Sequence, residues 1–353
     1  MEESIAIEEL YSVRKHPFMV LALLLSLCIC AHAAPMASGL SKFLGGAIDS
    51  AGNLHGTNFT AYWNSTRLVN VGNWYELEPA QGGYVSEYVN GMTDFCAQNG
   101  WDFIHNQIFN ASGGAPEWVA GLPLAQQVQG VKNILQWFRQ TCKPGKIIID
   151  NEVLHRAAPP YAAGMGGSGA TGYDWLIQEY TWARQYLPYS AGWRLGINDY
   201  DVEGNDEPGW NGDPGATTRY INLCRLLINA GVLDFIGCEG DYIPGYTTGG
   251  VNNALNRLGA LGLPLYITEA NFDSPDDNVQ LGYFQTYFPI IWQNQYVAGF
   301  IYWSPTNYAS DGNIFPNSTL QHSDGSNRPA LNWLLEYVPS SNPPNAFASP
   351  QSP

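Results

Sequence analysis

The chain is poor in positive charge. Fifteen Lys and Arg stand against 31 Asp and Glu over 353 residues, a formal net charge of −16. A surface of that sign repels phosphate backbones and anionic headgroups, which excludes nucleic acid and acidic membranes as partners. Two motif classes are also missing where they would count. No GxGxxG follows the first apolar segment, against a dinucleotide-binding sheet, and no GxSxG occurs, against the α/β-hydrolase esterases. The glycine-rich run 164–172 follows Pro159-Pro160 rather than a strand and reads as a surface loop. Neither CxxC nor HxxxH spacing is present, so no metal site and no cofactor are expected.

Long apolar runs are scarce. The one candidate, 19–34, is preceded by Arg14 and Lys15 and ends in Ala31-His32-Ala33, the small-x-small pattern of a signal-peptide cleavage site. Residues 1–34 are therefore expected to be a signal peptide, with the mature protein secreted, extracellular, monomeric and free of the membrane. Cysteine is sparse too. Cys28 and Cys30 would leave with the leader, and Cys96, Cys142, Cys224 and Cys238 would remain. An even count in an exported chain suggests two disulfides. Of three pairings, Cys96–Cys142 with Cys224–Cys238 is the more local. Sequons at Asn58, Asn64, Asn110 and Asn317 fit an exported glycoprotein.

What the chain has in quantity is aromatic surface: 12 Trp and 21 Tyr. Such rings stack on the CH faces of sugars. It also has short apolar runs alternating with helical periodicity. Strands are expected at 42–48, 69–74, 102–109, 145–152, 193–198, 232–239, 263–269 and 297–303. Helices are expected between them at 85–98, 128–141, 173–186, 217–230, 251–261 and 279–293, with a last one at 331–337. Strands and helices in that rhythm make an α/β fold with a parallel sheet. Eight of them suggest a single (β/α)8 TIM barrel over residues 35–338; an open doubly wound sheet is the alternative. Residues 339–353, rich in Ser, Pro and Asn, read as a disordered tail.

Two strands stand out. GKIIIDNE (145–152) and LPLYITEAN (263–271) are apolar and end in a carboxylic acid. A barrel presents its chemistry at the C-terminal strand ends. Splitting an acetal needs two acids, one protonated to help the leaving oxygen depart and one ionised to attack or to activate water. Glu152 and Glu269 are the expected pair. Asn151 has a physical use beside them, since its amide can hold a sugar 2-hydroxyl. Asn70, Asn73, His105, Asn110, Asn198, Asp199, Glu239, Asp241, Asn271 and Trp303 also fall at strand ends. Trp303, and less so Phe109, are candidate sugar platforms. His155 and His322 read as ordinary loop residues.

On these residues the chain resembles glycoside hydrolase family 10, whose members include retaining endo-β-1,4-xylanases. INDYDVEG (197–204) resembles the family's fifth-strand signature and LPLYITE (263–269) its nucleophile motif. Asn151-Glu152 matches its acid/base pair. Asn70 and Asn73-Trp74 through Glu78-Pro79 resemble the second-strand motif, and 172–184 the helix after the acid/base. The resemblance implies Glu152 as acid/base, Glu269 as nucleophile, a carboxyl separation of about 5–5.5 Å and retention through a glycosyl-enzyme. It implies sugar contacts from Asn70, Asn73, His105, Asn151, Glu239, Asp241 and Trp303, with a polysaccharide such as β-1,4-xylan as partner.

The departures are specific. Val69 and Asn73 replace a Glu and a Lys; Phe109 and Asn110 replace a Trp and a His; Glu239 and Asp241 replace a Gln and a His. Four carboxyls in a pocket with few cations cannot all ionise, so an acid-shifted activity optimum is expected. A different β-glycoside, such as a glucan or saponin, is an alternative substrate. A non-catalytic sugar-binding or inhibitor protein on the same barrel is the alternative role.

Overall fold

The computed structural model describes residues 34–48, 59–69, 71–208, 213–306 and 315–346. The expected signal segment therefore lies outside the described residues, as do Asn58 and Asn70. The compact unit that carries the fold spans Pro35–Pro353.

Eight parallel strands close into a barrel in sequence order. They are β1 (Phe43–Ile48), β2 (Ser65–Leu68), β3 (Asp102–His105), β4 (Lys146–Asn151), β5 (Arg194–Asn198), β6 (Phe235–Cys238), β7 (Leu265–Ala270) and β8 (Val297–Tyr302). Strand β4 shows why an unbroken apolar run is needed. Ile148 points into the barrel plug, while Ile147 and Ile149 join the layer between strands and helices. Both faces are dry, so alternation disappears.

The plug is built from Phe43, Ala47, Ile104, Ile148, Phe235, Tyr266 and Ile301. Phe43 stacks on Tyr266 at 5.4 Å between ring centroids, and Phe235 meets Tyr266 edge-on at 5.3 Å. Such rings fit only where neighbouring strands give way. A Cβ on Gly299 would stand 2.3 Å from the Phe43 ring, and one on Gly196 would stand 2.1 Å from Phe235. Outside, helices such as Leu124–Thr141 turn one stripe inward, burying Gln127, Val131, Ile134, Leu135 and Phe138 at helical spacing.

Several expectations are corrected. The second strand is Ser65–Leu68, and Trp74 opens a short helix, Trp74–Leu77, instead of ending a strand. Ser65, Thr66 and Arg67 are buried although polar, so hydropathy could not find this strand. The last helix, Pro329–Ser340, continues through Pro339. Residues beyond it are held against the barrel base: Trp292 Nε1 donates to Ser341 Oγ at 2.9 Å, and Ser41 Oγ to the Pro343 carbonyl at 3.1 Å. The tail expected to be disordered from 339 is thus ordered to 346.

No disulfide is present among the described residues. Cys96, Cys142, Cys224 and Cys238 are free and buried. Burial pushes the Cys96 and Cys142 thiols up to about 12. All four pack as small apolar groups, and parity of count carries no information on Cβ geometry. The Asn64 sequon amide is engaged inside the fold. Its Oδ1 accepts from the Leu44 N–H at 2.8 Å and its Nδ2 donates to the Ala37 carbonyl at 3.2 Å.

Candidate active site

The C-terminal strand ends are stitched together by backbone bonds that continue the barrel ladder. The Glu152 N–H donates to the Asn198 carbonyl at 2.9 Å, Glu239 to Asp199 at 3.0 Å, Glu269 to Glu239 at 2.9 Å and Trp303 to Ala270 at 2.9 Å. Glu152, Glu239, Glu269 and Trp303 therefore share one rim. The β4–β5 register shifts between Ile148 and Asp150, and the β7–β8 register between Ile267 and Ala270. Irregularities of this kind re-aim side chains. Both fall at or just before the two acids. Glu152 also sits at φ 55, a left-handed conformation uncommon for residues other than glycine. It opens a tight turn in which the His155 and Arg156 N–H groups donate to its carbonyl at 3.1 and 2.9 Å.

Asn198 is the hub of the site. Its Nδ2 donates to Glu269 Oε1 at 2.7 Å and to Asn151 Oδ1 at 2.8 Å, with a longer approach to Glu239 Oε1 at 3.3 Å. Its Oδ1 accepts from Thr268 Oγ1 at 2.6 Å. One buried amide thus links β4, β5, β6 and β7. Asp241 Oδ1 accepts from Asn271 Nδ2 at 2.8 Å, and Asn271 Oδ1 from Ser318 Oγ at 2.9 Å.

Two cations stand among these acids, and reading the sequence missed both. Arg67, on β2, donates to Glu269 Oε1 at 2.7 Å, to Gln107 Oε1 at 2.8 Å and to Asn106 Oδ1, and its guanidinium lies 5.4 Å from the Trp303 ring centroid. Its side chain is fully buried. Arg156 Nε pairs with Glu152 Oε2. The site thus holds two cations, although its acids still outnumber them.

The electrostatics follow from this layout. Burial raises the Glu269 carboxyl above its ordinary range, the Arg67 charge opposes the rise, and the charge of Glu152 adds to it. Burial drives Glu239 well up, reinforced by Glu269, Glu152 and Asp241. Burial does the same to Asp241, reinforced by Glu269 and opposed by its bond from Asn271.

Other sequence-selected residues divide. Asn73 is buried at the start of helix Trp74–Leu77, its Nδ2 3.4 Å from Tyr75 Oη. His105 lies elsewhere. Its ring packs against Phe103, Phe138 and Trp193, and Nε2 meets the Lys143 carbonyl at 3.1 Å. It faces the helical layer, and burial lowers it to about 4, so it is neutral there. Phe109 is also no platform: it is buried against Trp74 and Tyr161. His155, read as an ordinary loop residue, is instead held by Asp199 through Nδ1 at 2.7 Å and stacked on Tyr200 at 4.0 Å. A cavity of about 580 Å³ opens at the opposite, N-terminal end of the barrel, lined by Asp102, Lys143, Lys146, Arg194, Asp234 and Tyr266 among others. Lys146 is paired there with Asp102 at 2.6 Å, and none of the rim acids reaches it.

A closed (β/α)8 barrel with two interacting carboxyls at its C-terminal rim, one preceded by Asn, defines the class of barrel glycosidases. The chain belongs to glycosyl hydrolase family 10, whose family model matches residues 36–337. It is 26% identical over 298 residues to endo-1,4-beta-xylanase B of Cellvibrio japonicus, which covers 83% of this chain and 45% of that protein. It is 24% identical over 249 residues to endo-1,4-beta-xylanase 1 of Arabidopsis thaliana, covering 68% of this chain and 24% of that protein. The chain thus spans less than half the length of either relative. Among solved structures, xylanase 10B of Thermotoga maritima superposes with a TM-score of 0.66 at 18% identity, over 86% of this chain and 96% of that one. The family 10 protein of Paenibacillus barcinonensis gives 0.68 at 18%, over 88% and 98%. At that identity these two show the fold.

Proposed function

We propose that the protein is a retaining glycoside hydrolase acting on β-1,4-xylan-type polysaccharide, with Glu152 as acid/base and Glu269 as nucleophile. The observation that carries the reading is the single residue between them. The Asn198 carbonyl accepts from the Glu152 N–H, and its amide donates to Glu269 Oε1. In the first step Glu269 attacks the anomeric carbon as the bond to the leaving oxygen breaks, and the Glu152 proton passes to that oxygen. In the second, Glu152 takes a proton from water, whose oxygen displaces Glu269 with net retention. Asn151, its Oδ1 tied to Asn198, is assigned to the sugar 2-hydroxyl through its amide nitrogen. Trp303 offers its face beside Arg67. Glu239 and Asp241, both acted on by the Glu269 charge, are assigned to the sugar it attacks.

A second substrate reading is favoured by one observation. Two carboxyls, Glu239 and Asp241, stand beside the nucleophile where the resemblance implies Gln and His, which favours a β-glycoside other than xylan. Wild type, Glu152→Ala and Glu269→Ala assayed on aryl β-xylosides, aryl β-glucosides and plant cell-wall polysaccharides separate the readings, with product stereochemistry followed by NMR. Activity surviving in Glu269→Ala removes it as nucleophile. A wild type inert toward every sugar favours a binding protein. Export is proposed on the apolar segment 19–34 alone, and sequencing the N-terminus of protein recovered from the medium tests it.

A further inference from the structure

This inference rests on the glycosidase reading and deepens it. Arg67 is placed where a mere salt-bridge partner would be costly. Its side chain has no exposed surface, and of its hydrogen-bond acceptors only Glu269 is anionic among the described residues. Asn106, Gln107 and the Thr268 carbonyl at 3.5 Å are neutral. A guanidinium does not give up its proton in proteins, and a buried cation without a counterion is strongly destabilising. Glu269 must therefore be the anion when the site is empty.

Among the described residues, the charged groups that face Glu269 are few. Arg67 comes from β2, Glu152 from beyond β4, and Glu239 and Asp241 from beyond β6; Arg156 reaches Glu152 and Glu239. Among the described residues four carboxyls stand there against two guanidiniums, with Asp199, which also acts on Glu239, paired to His155; a bound proton relieves the excess of negative charge. Its place follows from the donors. Among the described residues, Glu269 Oε1 receives two at 2.7 Å and Asp241 one at 2.8 Å, whereas Glu239 has only the 3.3 Å approach from an Asn198 amide engaged elsewhere. We propose that Arg67 is the positioning residue that selects the nucleophile: it holds Glu269 as the anion and leaves the shared proton on Glu239. Both donors to Glu269 converge on Oε1, so Oε2 is the attacking oxygen. The segment around Asn73, where the resemblance implies a lysine, thus has its cation six residues earlier.

The test uses the full chain with Arg67→Met, Arg67→Lys and Glu239→Gln. The first readout is the acid limb of kcat/KM against pH on an aryl β-glycoside that wild type cleaves. Arg67→Met should raise that limb by about one unit or more and lower kcat/KM up to about tenfold per unit at about pH 5, with a smaller loss at higher pH. Arg67→Lys should keep the limb near its wild-type position. Glu239→Gln should leave it in place, because it replaces a neutral acid by a neutral amide. A downward shift in Glu239→Gln would show that Glu239 is ionised and overturn the proton assignment. An unmoved limb in Arg67→Met overturns Arg67 alone. No turnover by wild type on any glycoside overturns the glycosidase reading, and the nucleophile role with it. The second readout needs no substrate and does not depend on Arg67→Met folding as a single variant. Glu269→Gln should lose stability to urea, and Arg67→Met in that background should restore part of it. A double variant no more stable than Glu269→Gln overturns the pairing.

Discussion

Asn198 is the most informative single residue to change. Replacing it by Ala removes three short hydrogen bonds, at 2.6, 2.7 and 2.8 Å. The bond to ionised Glu269 is worth about 1.5–3 kcal/mol and the two neutral ones about 1 kcal/mol each, so the variant should be less stable by roughly 4 kcal/mol. Glu269 keeps Arg67 but loses its second donor, so kcat/KM should fall about 10- to 100-fold on an aryl glycoside. Asn198→Asp is the sharper probe. It keeps the shape and the acceptor for Thr268, but sets a fourth-strand-neighbour carboxyl against Glu269 and Glu239. Burial raises such an acid, so its folded value exceeds its unfolded one. Its penalty is absent below about pH 4 and grows as pH rises through the folded value. Urea denaturation at several pH values therefore decides the matter. Asn198→Asp should be less stable than Asn198→Ala near neutrality, and the gap should close toward about pH 4. An alanine variant within about 1 kcal/mol of wild type, or an aspartate variant no worse at neutral pH, would refute the hub.

Glu152→Ala should lose nearly all activity on substrates with poor leaving groups while still forming the glycosyl-enzyme from activated aryl glycosides; equal loss on both would remove Glu152 as the acid. Burial raises Asp150 and Glu76 to about 7 and Glu203 to about 8. Carboxyls raised on folding favour the native state at low pH and lose that contribution as pH climbs, so the urea midpoint should fall from about pH 5 to about pH 8. Lys42, lowered to about 7 by burial, works the other way only above that value; a midpoint rising from pH 5 to 7 would contradict the assignment. His105→Phe should leave KM within about twofold, because the ring faces Phe138 and Trp193 and not the cleft. A tenfold rise in KM would return His105 to the substrate. The double variant Glu239→Gln with Asp241→His should gain activity on xylan if those positions set the sugar, and an unchanged rate would count against that role.

Much of this protein was decided one strand at a time. The isoleucines of β4 and the Leu-Tyr-Ile run of β7 announced strands buried on both faces. An acid at the end of each was legible because strand polarity alone puts strand C-termini on one rim. The count of eight followed from the alternation with helices. Closure settled the rest. In a barrel both faces of a strand are covered, so hydropathy no longer tells in from out. That is why His105 turned outward into the helical layer and Arg67, in a strand of buried polar residues, turned inward onto Glu269. The four cysteines illustrate the same limit, since their number said nothing about which atoms meet. Local periodicity determined the elements and delivered the two carboxyls. Only the three-dimensional packing decided which cation faces Glu269, because that contact joins β2 to β7 across 202 positions of the chain.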